Sequence, residues 1–103
     1  MSGKKDKASV PPVSDDRELL LVSKALSDPR RVEVLRLIAA KEGARCMDMR
    51  ACLAMNPATL SHHMKQLETA GLIETRRDGK TVRATLRRKA WKHYVSQIKA
   101  FVE

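Results

Sequence analysis

Ser61, His62, Lys65 and Gln66 fall on one side of the segment N-P-A-T-L-S-H-H-M-K-Q-L, which runs from Asn56 to Leu67. A hydroxyl, an imidazole, an ammonium and an amide grouped in this way form no nucleophile–base pair. They form a row of hydrogen-bond donors and acceptors. Asn56, Ala58 and Thr59 extend the same side with small or polar groups. A basic cluster follows, with Arg76, Arg77, Lys80 and Arg83 set around an Asp78-Gly79 turn. Guanidinium and ammonium groups suit phosphate oxygens, whereas a helix edge of slight polar side chains suits the edges of bases. The 103-residue chain carries a formal charge of +9, which asks for a polyanionic partner, nucleic acid by default.

The remaining reactive side chains are few. Cys46 lies near a helix start beside Arg45, two features that lower a thiol pKa, so Cys46 is a candidate redox or electrophile switch. Cys52 reads as a small packed hydrophobe. On one regular helix the two thiols stand about 120° apart, and a thiolate metal site needs three or four ligands. No metal or other cofactor is therefore expected. His63 shares its side of the helix with Leu60, Met64 and Leu67 and is read as a core histidine, whereas His62 faces outward. The chain has no glycine-rich phosphate loop and no nucleophile spaced to a base, so an enzyme is the poorest reading.

The elements that must position these groups follow from caps and periodicity. Residues 1–13 are charged and proline-bearing, with too little apolar surface to fold, and read as a flexible basic tail before a single domain over 14–103. Ser14 or Asp15 opens a first helix in which Leu19, Leu20, Leu21, Val22, Ala25 and Leu26 leave apolar groups around much of the surface. Asp28-Pro29 starts a second helix to about Ala40, with Val32, Leu35, Ile38 and Ala39 inward and Arg30, Arg31, Glu33, Arg36 and Lys41 outward. Met47 to Met55 makes a short third helix with Met49, Leu53 and Cys52 inward. Asn56-Pro57 caps the fourth, and Gly71 ends it. Leu72–Arg76 and Thr81–Leu86 pair as a hairpin, the second strand alternating Val82, Ala84 and Leu86 with Thr81, Arg83 and Thr85.

In the last helix Trp91, Tyr94, Val95, Ile98, Phe101 and Val102 repeat at helical spacing, and every aromatic of the chain lies on that stripe. A terminal stripe of this kind, taken with the surplus of Leu19, Leu20 and Val22 in the first helix, predicts a subunit interface. The expected fold is mostly α with a β-hairpin (α+β): a winged helix-turn-helix of about five helices, dimeric through its first and last helices. No apolar run approaches the ~20 residues that cross a bilayer, so no membrane contact and a cytoplasmic location are expected.

Three segments carry a family likeness: K-A-L-S-D-P-R-R-V-E-V-L-R-L-I (24–38), T-L-S-H-H-M-K-Q-L-E-T-A-G-L-I (59–73) and R-R-D-G-K-T-V-R-A-T-L (76–86). In order and spacing they resemble the arsenic-repressor (ArsR/SmtB) family of bacterial winged-helix transcriptional repressors. The resemblance implies a homodimer whose two recognition helices enter successive major grooves of a near-palindromic operator in double-stranded DNA. Carried over by position, Ser61 and His62 read the groove, with Ala58 beside them and Lys65 at the backbone. The soft-metal cluster C-x-C-x-x-C of some members is replaced here by R-C-M-D-M-R-A-C (45–52), and the last helix offers only His93 of the Asp/His set found in others. Two other classes of function stay open at this point. One is a winged-helix adaptor that binds protein through the aromatic stripe. The other is a general architectural or RNA-binding protein, which the shortage of aromatics for base stacking disfavours.

Overall fold

Two proline-led helices set the frame. A computed structural model describes residues 13–103, with side chains from residue 17 onward, so the expected tail up to residue 12 lies outside the described residues. Helix α1 (Val13–Ala25) leads to α2 (Pro29–Ala40), where the Asp28 carboxylate accepts from the backbone N–H of Arg30 (2.9 Å) and Arg31 (3.3 Å). Those bonds hold the Asp28 carboxyl below its usual value, the Arg31 amide contributing most. Strand β1 (Ala44–Arg45) and helix α3 (Cys46–Leu53) follow, and Ala54 ends α3 in the left-handed region (φ 51°). Helix α4 (Pro57–Thr69) repeats the device of α2: Asn56 Oδ1 accepts from the Thr59 amide at 2.8 Å. Replacing Asn56 by alanine removes that cap and is expected to cost about 1 kcal/mol, read as a lower urea midpoint at unchanged slope.

Gly71 (φ 77°) turns the chain out of α4 and sends the Leu72 amide back to the Leu67 carbonyl at 3.0 Å. Strands β2 (Ile73–Asp78) and β3 (Thr81–Leu86) then form the hairpin, and β1 pairs with the far edge of β3, giving the sheet order β1-β3-β2. Helix α5 (Arg88–Ala100) closes the described chain. The core gathers Val22 and Ala25 of α1, Val34, Leu35 and Ile38 of α2, and Leu60, Met64 and Leu67 of α4. Met49, Leu72, Ile73 and Ala84 complete it.

Several expectations are corrected. The inner face of α2 is Arg31, Val34, Leu35 and Ile38, a continuous i, i+3, i+4, i+7 stripe, while Val32 is half-buried and Ala39 exposed. Arg31 is buried, not outward, because the carbonyls of Lys24 and Ala25 (both 3.4 Å) and the ring of His63 take its guanidinium hydrogens. Helix α3 stops two residues short of Met55, where the left-handed Ala54 lets the Met55 amide reach the Arg50 carbonyl (3.0 Å) and its side chain enter the core. Cys52 is exposed, because the inward side of α3 is taken by Met49. Strand β2 runs on to Asp78, which pairs with Thr81, so the two turn residues are Gly79 and Lys80, one place later than Asp78-Gly79. Gly79 alone has positive φ (66°), which suits a turn with glycine first. Strand β1 has no counterpart in the sequence reading, since two residues show no alternation.

Candidate nucleic-acid interface

Helix α4 sorts its side chains cleanly. Leu60, His63, Met64 and Leu67 are buried, while Asn56, Ala58, Thr59, Ser61, His62 and Lys65 are exposed and Gln66 is half-buried. The stripe pins the helix against α1, α2 and β2 and leaves its other edge to solvent. That edge presents the Ser61 hydroxyl next to the His62 imidazole, with Lys65 one turn further along.

The inner stripe of α4 is held by a polar contact as well as by apolar ones. Arg31 Nε donates to His63 Nδ1 at 3.3 Å, so this imidazole is neutral with its Nδ1 as acceptor. Burial pushes the His63 pKa below its ordinary value and Arg31 adds to the effect, while Asp28 opposes it. Below about pH 6.5 the unfolded chain binds a proton that the folded chain resists, so stability falls as the pH drops from there toward the lowered folded value and levels off beneath it. Native protein should lose up to about 1.4 kcal/mol per pH unit there, and a His63→Gln variant should lose less in urea titrations from pH 7 to 5. Identical slopes would mean that His63 keeps its ordinary affinity for protons.

The hairpin supplies the cations. Arg76, Arg77 and Lys80 are exposed about the Gly79-Lys80 turn. Register places Arg77 opposite Val82 and Thr75 opposite Ala84, the face turned toward α4, whereas Arg76 and Arg83 share the outer face with Arg45 of β1. Thr75 Oγ1 donates to Glu68 Oε2 at 2.7 Å, tying the hairpin to α4. Arg83 is turned away from the tip, its guanidinium donating to the Gly43 carbonyl at 3.1 Å, and Arg45 is held by Asp48 at 2.9 Å. The outer row of three arginines at one sheet level was not visible in the sequence, because it depends on the pairing of β1.

Cys46 is half-buried, and burial pushes its thiol up, with the charge of Arg50 opposing only in part. This reverses the expected direction, because Arg45 gives its guanidinium to Asp48 instead of to the sulfur. Among the described residues, no group of three His, Cys, Asp or Glu side chains is placed to hold a metal ion, and no helix is long and apolar enough to cross a membrane.

A second surface lies along α1 and α5. Trp91 and Tyr94 meet edge to face (ring centres 6.0 Å apart) and pack partly on the chain's own core. Beyond them Val95 (55%), Ile98 (40%), Phe101 (68%) and Val102 (86%) stand open to solvent, joined by Leu20 (67%) from α1. Leu19 is half-buried. Val22 departs from the expected set: it is 6% exposed and belongs to the chain's own core.

Comparison with known proteins follows the same outline. Residues 26–76 match the model of a helix-turn-helix domain family. The chain is 41% identical over 63 residues to an arsenical resistance operon repressor of Staphylococcus xylosus, spanning 61% of this chain and 60% of that repressor's length. It is 32% identical over 83 residues to the HTH-type transcriptional regulator YceK of Bacillus subtilis (strain 168), covering 80% of this chain and 83% of that one. Among solved structures, a homodimeric winged helix-turn-helix DNA-binding domain from Mycobacterium bovis superposes with a TM-score of 0.70 at 25% identity, over 97% of this chain and 90% of the other.

Proposed function

We propose that this chain, which belongs to the ArsR/SmtB family of winged helix-turn-helix transcriptional regulators, represses transcription by binding a near-palindromic operator in double-stranded DNA as a homodimer. One observation carries the reading: the edge of α4 left outside the core is small and polar, and the hairpin beside it ends in unburied cations. Ser61 and His62 read base edges in the major groove, with Ala58 close enough to touch a thymine methyl group. Asn56, Thr59, Lys65 and Gln66 line the groove walls, and Arg76, Arg77 and Lys80 lie on flanking phosphates. Arg83, opposite Arg76 in the hairpin, adds a cation to the outer face of the sheet beside the phosphates. Two copies joined through α1 and α5 place their α4 helices about one DNA turn (~34 Å) apart, which makes a two-fold site necessary.

The homodimeric domain of M. bovis supports pairing of two copies, and the name of the S. xylosus relative supports repression. The apolar patch on α5 gives a physical reason for the pairing, since open valine, isoleucine and phenylalanine side chains gain about 25 cal/mol per Å² when a partner covers them. Such a regulator acts in the cytoplasm and needs no catalysis. The reading does not extend to arsenite, because the two thiols of the chain sit on separate sides of α3, one half-buried and one exposed. Nuclease footprinting of the DNA upstream of the protein's own gene tests the proposal. It predicts one protected stretch with two half-sites about 10 base pairs apart centre to centre, or a multiple of that spacing. Uniform protection of the whole fragment would overturn it and would favour a general architectural protein.

A further inference from the structure

Between α3, α4 and the hairpin lies a cleft of about 460 Å³, within the usual size of small-molecule sites. Its floor is apolar: Leu60, Met64, Val82 and the half-buried Cys46, whose raised pKa keeps the thiol neutral. Met47, on the wall from α3, is 65% exposed, an open hydrophobe used by neither the DNA reading nor the dimer reading. The rim is cationic, with Arg50 from α3, Lys65 from α4, and Arg77 and Lys80 from the hairpin. None of these four pairs with a carboxylate among the described residues. Glu68, the acid of the lining, is engaged by the Thr75 hydroxyl, and Arg45 is already matched by Asp48. The walls thus combine a neutral, polarisable floor with an excess of positive charge at the mouth.

The geometry points to a binding site for an organic anion with an apolar body, one carboxylate or sulfonate on a ring or chain, whose occupancy competes with DNA. The competition rests on the DNA-binding reading, because Lys65, Arg77 and Lys80 would be asked to serve both the ligand and the phosphates. An anion seated among them neutralises charges that the DNA backbone needs. Inorganic phosphate or acetate would meet the cations but leave the floor uncovered, so the apolar body decides affinity.

Titration with 1-naphthoate tests this, followed by methionine methyl NMR of the free protein. The Met47 and Met64 methyl signals should shift and saturate, while those of Met49 and Met55, buried in the core, should stay. Saturating naphthoate should weaken operator binding about tenfold, and sodium acetate at equal concentration should not. Met47→Asn, neutral and at an exposed position, should keep operator affinity within about threefold and abolish the naphthoate shift at Met64. Absence of shifts, shifts confined to other signals, equal shifts with acetate, or an unchanged response in Met47→Asn would each overturn the site. Saturation of the cleft with operator affinity unchanged would overturn the competition. If the native protein bound no duplex at all, the DNA reading would fall, whereas the methyl shifts would still report the cleft on their own.

Discussion

Reversing charge at the hairpin tip, Arg77→Glu with Lys80→Glu, is expected to lower operator affinity about a thousandfold while leaving the fold intact. Both residues are exposed, so the substitutions touch no packing. A dimer loses four cations at once. At roughly 1 kcal/mol for each lost charged contact, the combined effect reaches that factor. The loss should fall alike on operator and unrelated duplex, because phosphates carry no sequence. The slope of log K against log salt should also become shallower by up to about four, one unit for each contact removed. His62→Ala should behave in the opposite way, weakening the operator more than random DNA. Unchanged affinity in the double variant would place the hairpin off the backbone.

Breaking the α1–α5 surface should have an effect of comparable size through a different route. Val95→Asp with Ile98→Asp sets two carboxylates per chain where the account places a dry interface, and both positions are open to solvent in the single chain. The monomer should keep its circular dichroism, because neither side chain belongs to the core. Sedimentation should report a single chain where the native protein sediments as two. Operator affinity should drop by about 10²–10⁴, since the second recognition helix no longer arrives tethered to the first. A variant that stays dimeric would move the interface elsewhere. A native protein that sediments as a monomer would leave the stripe open for another protein, the adaptor reading.

What could be read from the chain alone was what depends on neighbours in sequence. Asp28-Pro29 and Asn56-Pro57 announce helix starts because a cap and a fixed φ act within one turn, and both do so in the structure. The division of α4 into Leu60, His63, Met64 and Leu67 against Ser61 and His62 is legible for the same reason, as it follows from helical period alone. Arg31 shows the limit. An arginine at the head of an apolar stripe looks like surface until the carbonyls of Lys24 and Ala25 and the ring of His63 are brought to it from two other helices. A signal was present, since residues 31, 34, 35 and 38 keep helical spacing, but charge argued against burial. The hairpin turn slipped by one residue because Asp78 and Gly79 both tolerate a turn, and strand register, a tertiary property, chose between them. The sulfur of Cys46 departs from the expected direction because its neighbour in sequence, Arg45, has a better partner in Asp48. The cleft beside the hairpin was invisible, since its walls come from three elements that meet only in the fold.

Whether α4 reads sequence in duplex DNA is decided by fluorescence-anisotropy titration. Purified native protein would be titrated onto labelled duplex from its own upstream region, and onto the same bases shuffled, at several salt concentrations. Affinity should fall steeply with salt on both duplexes, with a preference for the upstream duplex of about 10³ or more at physiological salt. Equal affinity for the two duplexes at every salt concentration would contradict sequence reading by α4.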